Sequence, residues 1–394
     1  MKIALMTNNY KPYIGGVPIS IERLKWGLEA LGHEVTVFAP TYEEQQQEEN
    51  VFRYASGMKH FIGGIVLPNP FDRRIDREFA RQKFDIIHVH HPVLIGRTAI
   101  HLSKKYHIPL VFTYHTRYEK YVECYTGGVV RVEHLMPLYL RMFMKHCQHV
   151  FAPTEGIRDY LIGACSVSPD KLSILPTGIE EGSFRVSEEQ RMAVRRQCAA
   201  EQMPLFLTVA RLAQEKNIRF LLESVATFKI RYQKPFRLVM VGDGPDRMQY
   251  EKACEELQIK DEVVFTGTLP NEKTAAYYAA ADAFLFASKT ETQGIVILEA
   301  FAGRTPVIAV RASGVENLVT DGVNGYLMPE NQDEFSSAML AFCGDEAMRR
   351  QLEEHAHRTG LTYREEAVAE EAVRVYNEVI TAHRQRIPVT PVVA

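Results

Sequence analysis

At 394 residues, with 46% hydrophobic and 24% charged residues and a formal net charge of −3, the chain exceeds one hydrophobic core and carries no general pull toward nucleic acid. Six cysteines, at 124, 147, 165, 198, 254 and 343, are scattered without a Cys-x-x-Cys pair, which points to neither a disulfide framework nor a zinc site and fits a reducing, cytoplasmic setting. The first residues are too polar for a secretory signal and no run reaches the roughly 18 apolar residues of a membrane span, so a membrane is expected to be met only at its surface.

In chain order, strand-like apolar runs at residues 3–6, 34–38, 86–90, 110–114 and 149–152 alternate with helical patterns such as residues 19–31, which end at Gly32 as a C-cap. The Gln/Glu-rich stretch at 43–49 reads as a solvated loop. Leu175-Pro176-Thr177-Gly178-Ile179 reads as an exit turn, followed by a charged helix at 188–200. The alternation then restarts, with strands expected at 205–209, 237–241, 262–266, 283–286 and 306–309 and helices at 217–229 and 246–257. Residues 363–384 have helical spacing, with Val368, Val373, Val375 and Val379 as apolar positions. That helix either caps the second domain or crosses back to the first, and residues 387–394, with two prolines, are expected to fray. The expected class is α/β, with two doubly wound Rossmann-like domains facing a central cleft: residues 1–178, residues 179–362 and a C-terminal helix from 363 to 394.

In such a fold the informative loops follow the carboxyl ends of strands. After the first strand, Gly15-Gly16 opens a helix and permits close backbone approach, although taken alone a plain tight turn explains it better. After the strand at 205–209, Arg211 and Lys216 bracket a helix entrance, where cations oppose the helix dipole unless a bound diphosphate reverses the sign. After the strand at 283–286, Glu291-Thr292-Gln293-Gly294-Ile295 leads into a helix that carries Glu299. One carboxylate then precedes a helix N-terminus and the other lies along its first turns, beside amides that attract anions: acceptors for sugar and ribose hydroxyls, donors for phosphate. A surface helix with one solvated and one capping glutamate is the plain alternative. His88-Val89-His90-His91-Pro92 and Thr113-Tyr114-His115-Thr116 end two further strands, and without a positioned carboxylate, cysteine or Asp-x-Asp motif they point away from a metal. They are either satisfied polar residues at strand ends or, for His115, a cleft residue.

These motifs, with Val241-Gly242-Asp243-Gly244-Pro245 and Phe265-Thr266-Gly267, resemble those of the GT-B glycosyltransferases of family 4 over nearly the whole chain. The resemblance implies a retaining, metal-independent hexosyltransferase with no cofactor beyond a nucleotide-sugar co-substrate such as UDP-glucose. It implies that Arg211 and Lys216 neutralise the donor diphosphate, that Glu291 binds sugar hydroxyls, and that Glu299 holds the ribose. The amides of Gln293, Gly294 and Ile295 then lie near sugar or phosphate, Gly16 caps the diphosphate, and His115 contacts the transferred sugar. Glu291-Thr292-Gln293-Gly294 departs from the commoner Glu-Gly-Phe-Gly or Glu-Ser-Phe-Gly wording, which leaves open the sugar and the choice between uracil and guanine.

The segment from His115 through Tyr118, Glu119 and Tyr121 to Tyr125 looks like the matching stretch of bacterial diacylglycerol glucosyltransferases, with Glu123-Cys124 as a departure. A lipid acceptor met at an anionic membrane surface is the implied partner, and the inner face of the cell membrane the implied location. Residues 131–146 carry Leu135, Met136, Leu138, Leu140, Met142, Phe143 and Met144 with Arg131, Arg141 and Lys145, either as a helix resting on that surface or as a buried helix of the first sheet. Arg73, Arg74, Arg77, Arg81 and Lys83 make a second basic face that a solvated helix explains equally well. A soluble or polymeric acceptor, and a nucleotide-sugar binding or epimerising protein on the same scaffold, remain as other readings, whereas a nicotinamide dehydrogenase is disfavoured because the first βα turn lacks Gly-x-Gly-x-x-Gly. Oligomeric state is not legible.

Overall fold

The computed structural model describes every residue except 14, 46, 63–64, 118–134, 290, 313 and 387–394. The chain divides into two compact units: Met1–Gly178 with the chain from Glu365 onward, and Ile179–Arg364.

In unit 1 the strands are β1 (Lys2–Met6), β2 (Glu34–Pro40), β3 (Val51–Tyr54), β4 (Ser56–Ile62), β5 (Ile65–Pro68), β6 (Ile86–Val89), β7 (Leu110–Thr113), β8 (His149–Ala152) and β9 (Leu172–Ile174). Seven of them form a parallel sheet in the order β3-β2-β1-β6-β7-β8-β9, while β4 and β5 pair as an antiparallel hairpin. The central strands β6 and β7 are buried at every position, as a parallel sheet covered on both faces requires. Helices α1 (Gly16–Ala30), α2 (Arg73–Gln82), α3 (Ile95–Tyr106), α4 (Leu135–Met144) and α5 (Glu155–Gly163) separate the strands.

Unit 2 repeats the design with β10 (Leu205–Val209), β11 (Arg237–Val241), β12 (Val263–Gly267), β13 (Ala283–Phe286), β14 (Val307–Val310) and β15 (Gly325–Met328), parallel in the order β12-β11-β10-β13-β14-β15. Its helices are α6 (Glu188–Gln197), α7 (Ile218–Tyr232), α8 (Arg247–Glu256), α9 (Asn271–Ala280), α10 (Ile295–Ala302), α11 (Gln332–Gly344) and α12 (Glu346–Leu361). The parallel strands absent from the sequence expectation, β3, β9 and β15, are edge strands of three or four residues, too short to show a period.

The last helix, α13 (Glu365–Arg386), belongs to unit 1. Val368, Ala369, Ala372, Val375, Tyr376 and Val379 are buried in one cluster with Ile3, Leu5, Ile21, Leu24 and Leu28, so its apolar stripe closes one face of the first sheet. Two glycines permit that approach. A Cβ on Gly27 would stand 2.7 Å from the Glu365 carbonyl oxygen, and one on Gly178 would stand 2.6 Å from the Glu365 Cα.

Candidate functional site

In each unit the strand order reverses once, between β10 and β13 in unit 2 and between β1 and β6 in unit 1, and a doubly wound sheet opens a crevice beyond the carboxyl ends of the strands at that point. The residues singled out from sequence in unit 2 lie on the two loops that leave β10 and β13 and on the helix that follows the second of them.

The β10 loop is held by the β11 loop, backbone against backbone. The Leu212 amide donates to the Asp243 carbonyl at 3.0 Å and the Asp246 amide to the Leu212 carbonyl at 3.1 Å. Only glycine fits the opposing wall: Gly242 has φ +134°, and its Cβ would lie 1.9 Å from the Ala210 carbonyl oxygen. A short 3₁₀ turn, Gln214–Lys216, and a left-handed Asn217 at φ 55° then redirect the chain into α7.

That turn brings Lys216 onto Glu291, with Nζ donating to Oε1, and Ser288 Oγ donates to the same oxygen at 3.1 Å. Lys216 and Glu291, which the sequence assigned to separate ends of a ligand, are therefore direct partners. Neither cation opposes a helix dipole uncompensated, because Arg211 pairs with Glu215 one turn further on. Both side chains of the Lys216–Glu291 pair stay about a quarter exposed, at 22% and 24%, within reach of an incoming ligand. Asn217 Nδ2 ties the loops together, donating to the Ala287 carbonyl at 3.3 Å and to Glu330 at 2.7 Å.

Gly294, at φ 67°, is the N-cap of α10 and offers no side-chain cap to that helix's first amides. Gln293 is buried, Ile295 half-buried as the first residue of α10, and Glu299 half-buried as its fifth. The buried Tyr278 of α9 donates its hydroxyl to Glu299 Oε2 at 2.9 Å, fixing that carboxylate. Tyr278 and Ser288 are site residues that sequence reasoning missed. Ser288 stands three residues before Glu291 and could have been noticed, whereas Tyr278 lies 21 residues from Glu299 on another helix and leaves no local signal.

In unit 1, Gly16 is the first residue of α1, behind an extended Gly15 at φ −179° that provides no side-chain cap. The loops after β1 and β6 are stitched together at the reversal: Asn8 Nδ2 donates to the Val93 carbonyl at 3.0 Å, and the Ile95 amide at the start of α3 donates to Asn8 Oδ1 at 3.2 Å. Beside them the histidines form a packed array. His88 is enclosed, with Nδ1 2.6 Å from the Tyr376 hydroxyl and Nε2 2.6 Å from Thr113 Oγ1. His88 stacks on His90 at 4.3 Å between centroids, and His90 Nδ1 lies 2.9 Å from His115 Nε2. Burial pushes His88 and His90 well below the usual imidazole range, His91 to about 4 and His115 to about 3, although one edge of His115 still reaches solvent. These rings are neutral at physiological pH. Among the described residues no group of three or more His, Cys, Asp or Glu is arranged to hold a metal ion.

Arg141 and Lys145 are exposed at the C-terminal end of α4, on the side that also shows Leu135, Leu138 and Met142, while Leu140, Phe143 and Met144 are buried. The buried face packs α4 into the core of the first sheet, and the opposite face carries apolar and basic residues side by side. The α2 face is partly neutralised, with Arg74 paired to Asp72 and Arg81 to Glu78. Tyr118, Tyr121 and Arg131 lie outside the described residues. No helix among the described residues is long and apolar enough to cross a membrane.

Residues 14–182 match the family model for Glycosyltransferase Family 4, and residues 191–359 that for Glycosyl transferases group 1. An alpha-monoglucosyldiacylglycerol synthase of Streptococcus pneumoniae is 33% identical over 83% of this chain and 75% of its own length. One from Acholeplasma laidlawii is 28% identical over 98% and 99%. Among solved structures, a sucrose-phosphate synthase from Thermosynechococcus elongatus superposes with a TM-score of 0.80 at 21% identity, covering 97% of this chain and 99% of its own. The Anabaena protein HepE, solved in complex with UDP, gives 0.75 at 17% identity, over 96% and 100%. At such identities these two speak for the fold alone.

Proposed function

We propose, because this chain belongs to the family 4 glycosyltransferases of GT-B fold, that it moves glucose from UDP-glucose to a hydroxyl of 1,2-diacylglycerol, with retention at the anomeric carbon and without a metal. Transfer of a sugar from a nucleotide sugar is the family's reaction; the sugar, acceptor, stereochemistry and metal-independence are our reading. The Lys216–Glu291 contact carries it. An ammonium held by a carboxylate beside uncapped helix amides is a site whose counter-ion a diphosphate can replace: phosphate oxygens take over Lys216, with Arg211 and the α10 amides, and Glu291 turns its oxygens to the sugar hydroxyls. Glu299, steadied by Tyr278, takes the ribose hydroxyls.

Chemistry then needs no protein nucleophile. The bond from the anomeric carbon to the leaving phosphate oxygen breaks, the acceptor oxygen bonds to that carbon on the same face, and its proton passes to the departing phosphate. Lys216, Arg211 and the α10 amides stabilise the developing charge, and a preorganised donor of this kind is worth roughly 2.7–4 kcal/mol. His115, neutral in unit 1, contacts the transferred sugar as a hydrogen-bonding ring. The lipid acceptor is supported by the two diacylglycerol-synthase relatives and by the exposed apolar residues of α4 beside Arg141 and Lys145. That face fits peripheral adsorption to the anionic inner leaflet of the cell membrane.

The test is release of nucleoside diphosphate from a panel of sugar nucleotides, in excess EDTA, with anionic vesicles that contain or lack diacylglycerol. UDP-glucose should be consumed with diacylglycerol present, giving an α-glucosyl lipid by NMR. Turnover indifferent to lipid would replace the acceptor with a soluble one, and no turnover of any donor would overturn the reading.

A further inference from the structure

The contact between His90 and His115 contains one proton and two ways to place it. Either His90 Nδ1–H donates to a bare His115 Nε2, or His115 Nε2–H donates to a bare His90 Nδ1. The second nitrogen of His90 separates the two. His90 is 1% exposed, and its Nε2 is buried with no hydrogen-bond partner among the described residues. If His115 donates, the proton of a neutral His90 must sit on that Nε2, leaving a buried N–H with nothing to accept it. If His90 donates, Nε2 carries only a lone pair. Orphaned buried N–H groups are rarer than under-used acceptors, so the state in which His90 donates is the more stable.

We infer that His90 is a positioning residue: by donating from Nδ1 it holds His115 in the tautomer that carries its proton on Nδ1, with Nε2 occupied. The stack explains why His90 cannot turn away. Its ring is clamped between His88 at 4.3 Å and His115 at 5.1 Å, with interplanar angles of 26° and 25°, and His88 is itself pinned by Tyr376 and Thr113. His88 lies on β6 and His90 one residue past its end, and the neighbouring strand β7 ends two residues before His115, so the pairing of the two strands brings the three rings to one end of the sheet. His115 then enters catalysis as a donor of fixed direction, from Nδ1. Its relevance to transfer rests on the reading that His115 meets the sugar, but the tautomer does not.

The measurement is a long-range proton–nitrogen NMR spectrum of the full chain labelled with ¹⁵N-histidine, with the His115 signals identified by their loss in His115→Asn. In the wild type, Nδ1 of His115 should read as protonated and Nε2 as bare. In His90→Phe, which keeps a flat ring but no donor, the His115 proton should redistribute to Nε2. In His90→Asn, whose Nδ2 lies where the histidine Nδ1 lay, the Nδ1–H form should return, with kcat restored at constant donor KM. His115 protonated at Nε2 in the wild type overturns the inference, as does an unchanged His115 in a folded His90→Phe protein. If the tautomer shifts but kcat does not, the positioning stands and the assignment of His115 to the sugar falls.

Discussion

The two units place their sites at the same topological point and fill them oppositely. Unit 2 gathers charge: Lys216 against Glu291 and Arg211 against Glu215, on half-open loops. Unit 1 gathers neutral rings: His88, His90 and His115 pack together, and among the described residues His88 and His90 meet hydroxyls and an imidazole. Exchangeable ion pairs suit a ligand that brings its own charge, because the incoming anion replaces a carboxylate instead of entering an empty, repulsive or dry site. Buried neutral donors suit hydroxyl recognition, where direction matters more than charge.

Acid gives the largest separation between them. The unit 1 histidines ionise far below the ordinary value of 6.5 in the folded chain, His91 at about 4 and His115 at about 3, with burial as the main cause. The unfolded chain takes up protons below 6.5 while the folded one resists them, so this stability is full above pH 6.5 and is lost progressively as pH falls toward those folded values. Each fully withdrawn ring contributes at most about 1.36 kcal/mol per pH unit, and several rings together make a loss of several kcal/mol by pH 5. Thermal melts with limited proteolysis between pH 7.5 and 5 should show cuts appearing in unit 1 before unit 2. Simultaneous loss of both would mean that the array is not what sets the acid limit.

Lys216→Ala tests the charged side. Removing the ammonium should lower turnover at least tenfold, and by as much as the ~10²–10³ that one preorganised donor supplies, with the melting temperature little changed because a part-exposed ion pair contributes about 1 kcal/mol or less. Wild-type turnover in a folded Lys216→Ala protein would remove the pair from the mechanism.

The same contrast decided what could be read from the sequence. Both parallel α/β layers were legible from alternating apolar runs, and so were Arg211, Lys216, Glu291 and Glu299, because charged residues after strands stand out in a string. The direct Lys216–Glu291 contact was not, since it joins two loops 75 residues apart. The histidines were visible as letters but not as an array: that His88 is walled in by Tyr376, 288 residues away, depends on α13 packing against β6's face of the first sheet. The spacing of α13 fitted either unit equally well. What settled it was the fit of Gly27 and Gly178 against Glu365, a matter of tertiary volume that no local period encodes. Residues 51–54, 172–174 and 325–328 escaped because edge strands this short show no alternation.

The smallest effect belongs to the link between α13 and the histidine array. Tyr376→Phe keeps the ring that packs beside His88 and Phe151 and removes only the hydroxyl 2.6 Å from His88 Nδ1. His88 is fully buried, with Nε2 already taken by Thr113, so whichever tautomer it holds, one ring nitrogen loses its partner without gaining water. Such an orphan costs about 1–3 kcal/mol, which should lower the melting temperature of unit 1 by several degrees. Turnover at 25 °C should stay within about twofold, because neither Tyr376 nor His88 touches the proposed donor and the stack on His90 depends on ring shape. A fall in kcat as large as that of Lys216→Ala, without a matching loss of stability, would show that the hydroxyl acts on the reacting centre through His88 and His90, and the neutral array would then belong to the chemistry instead of to its support.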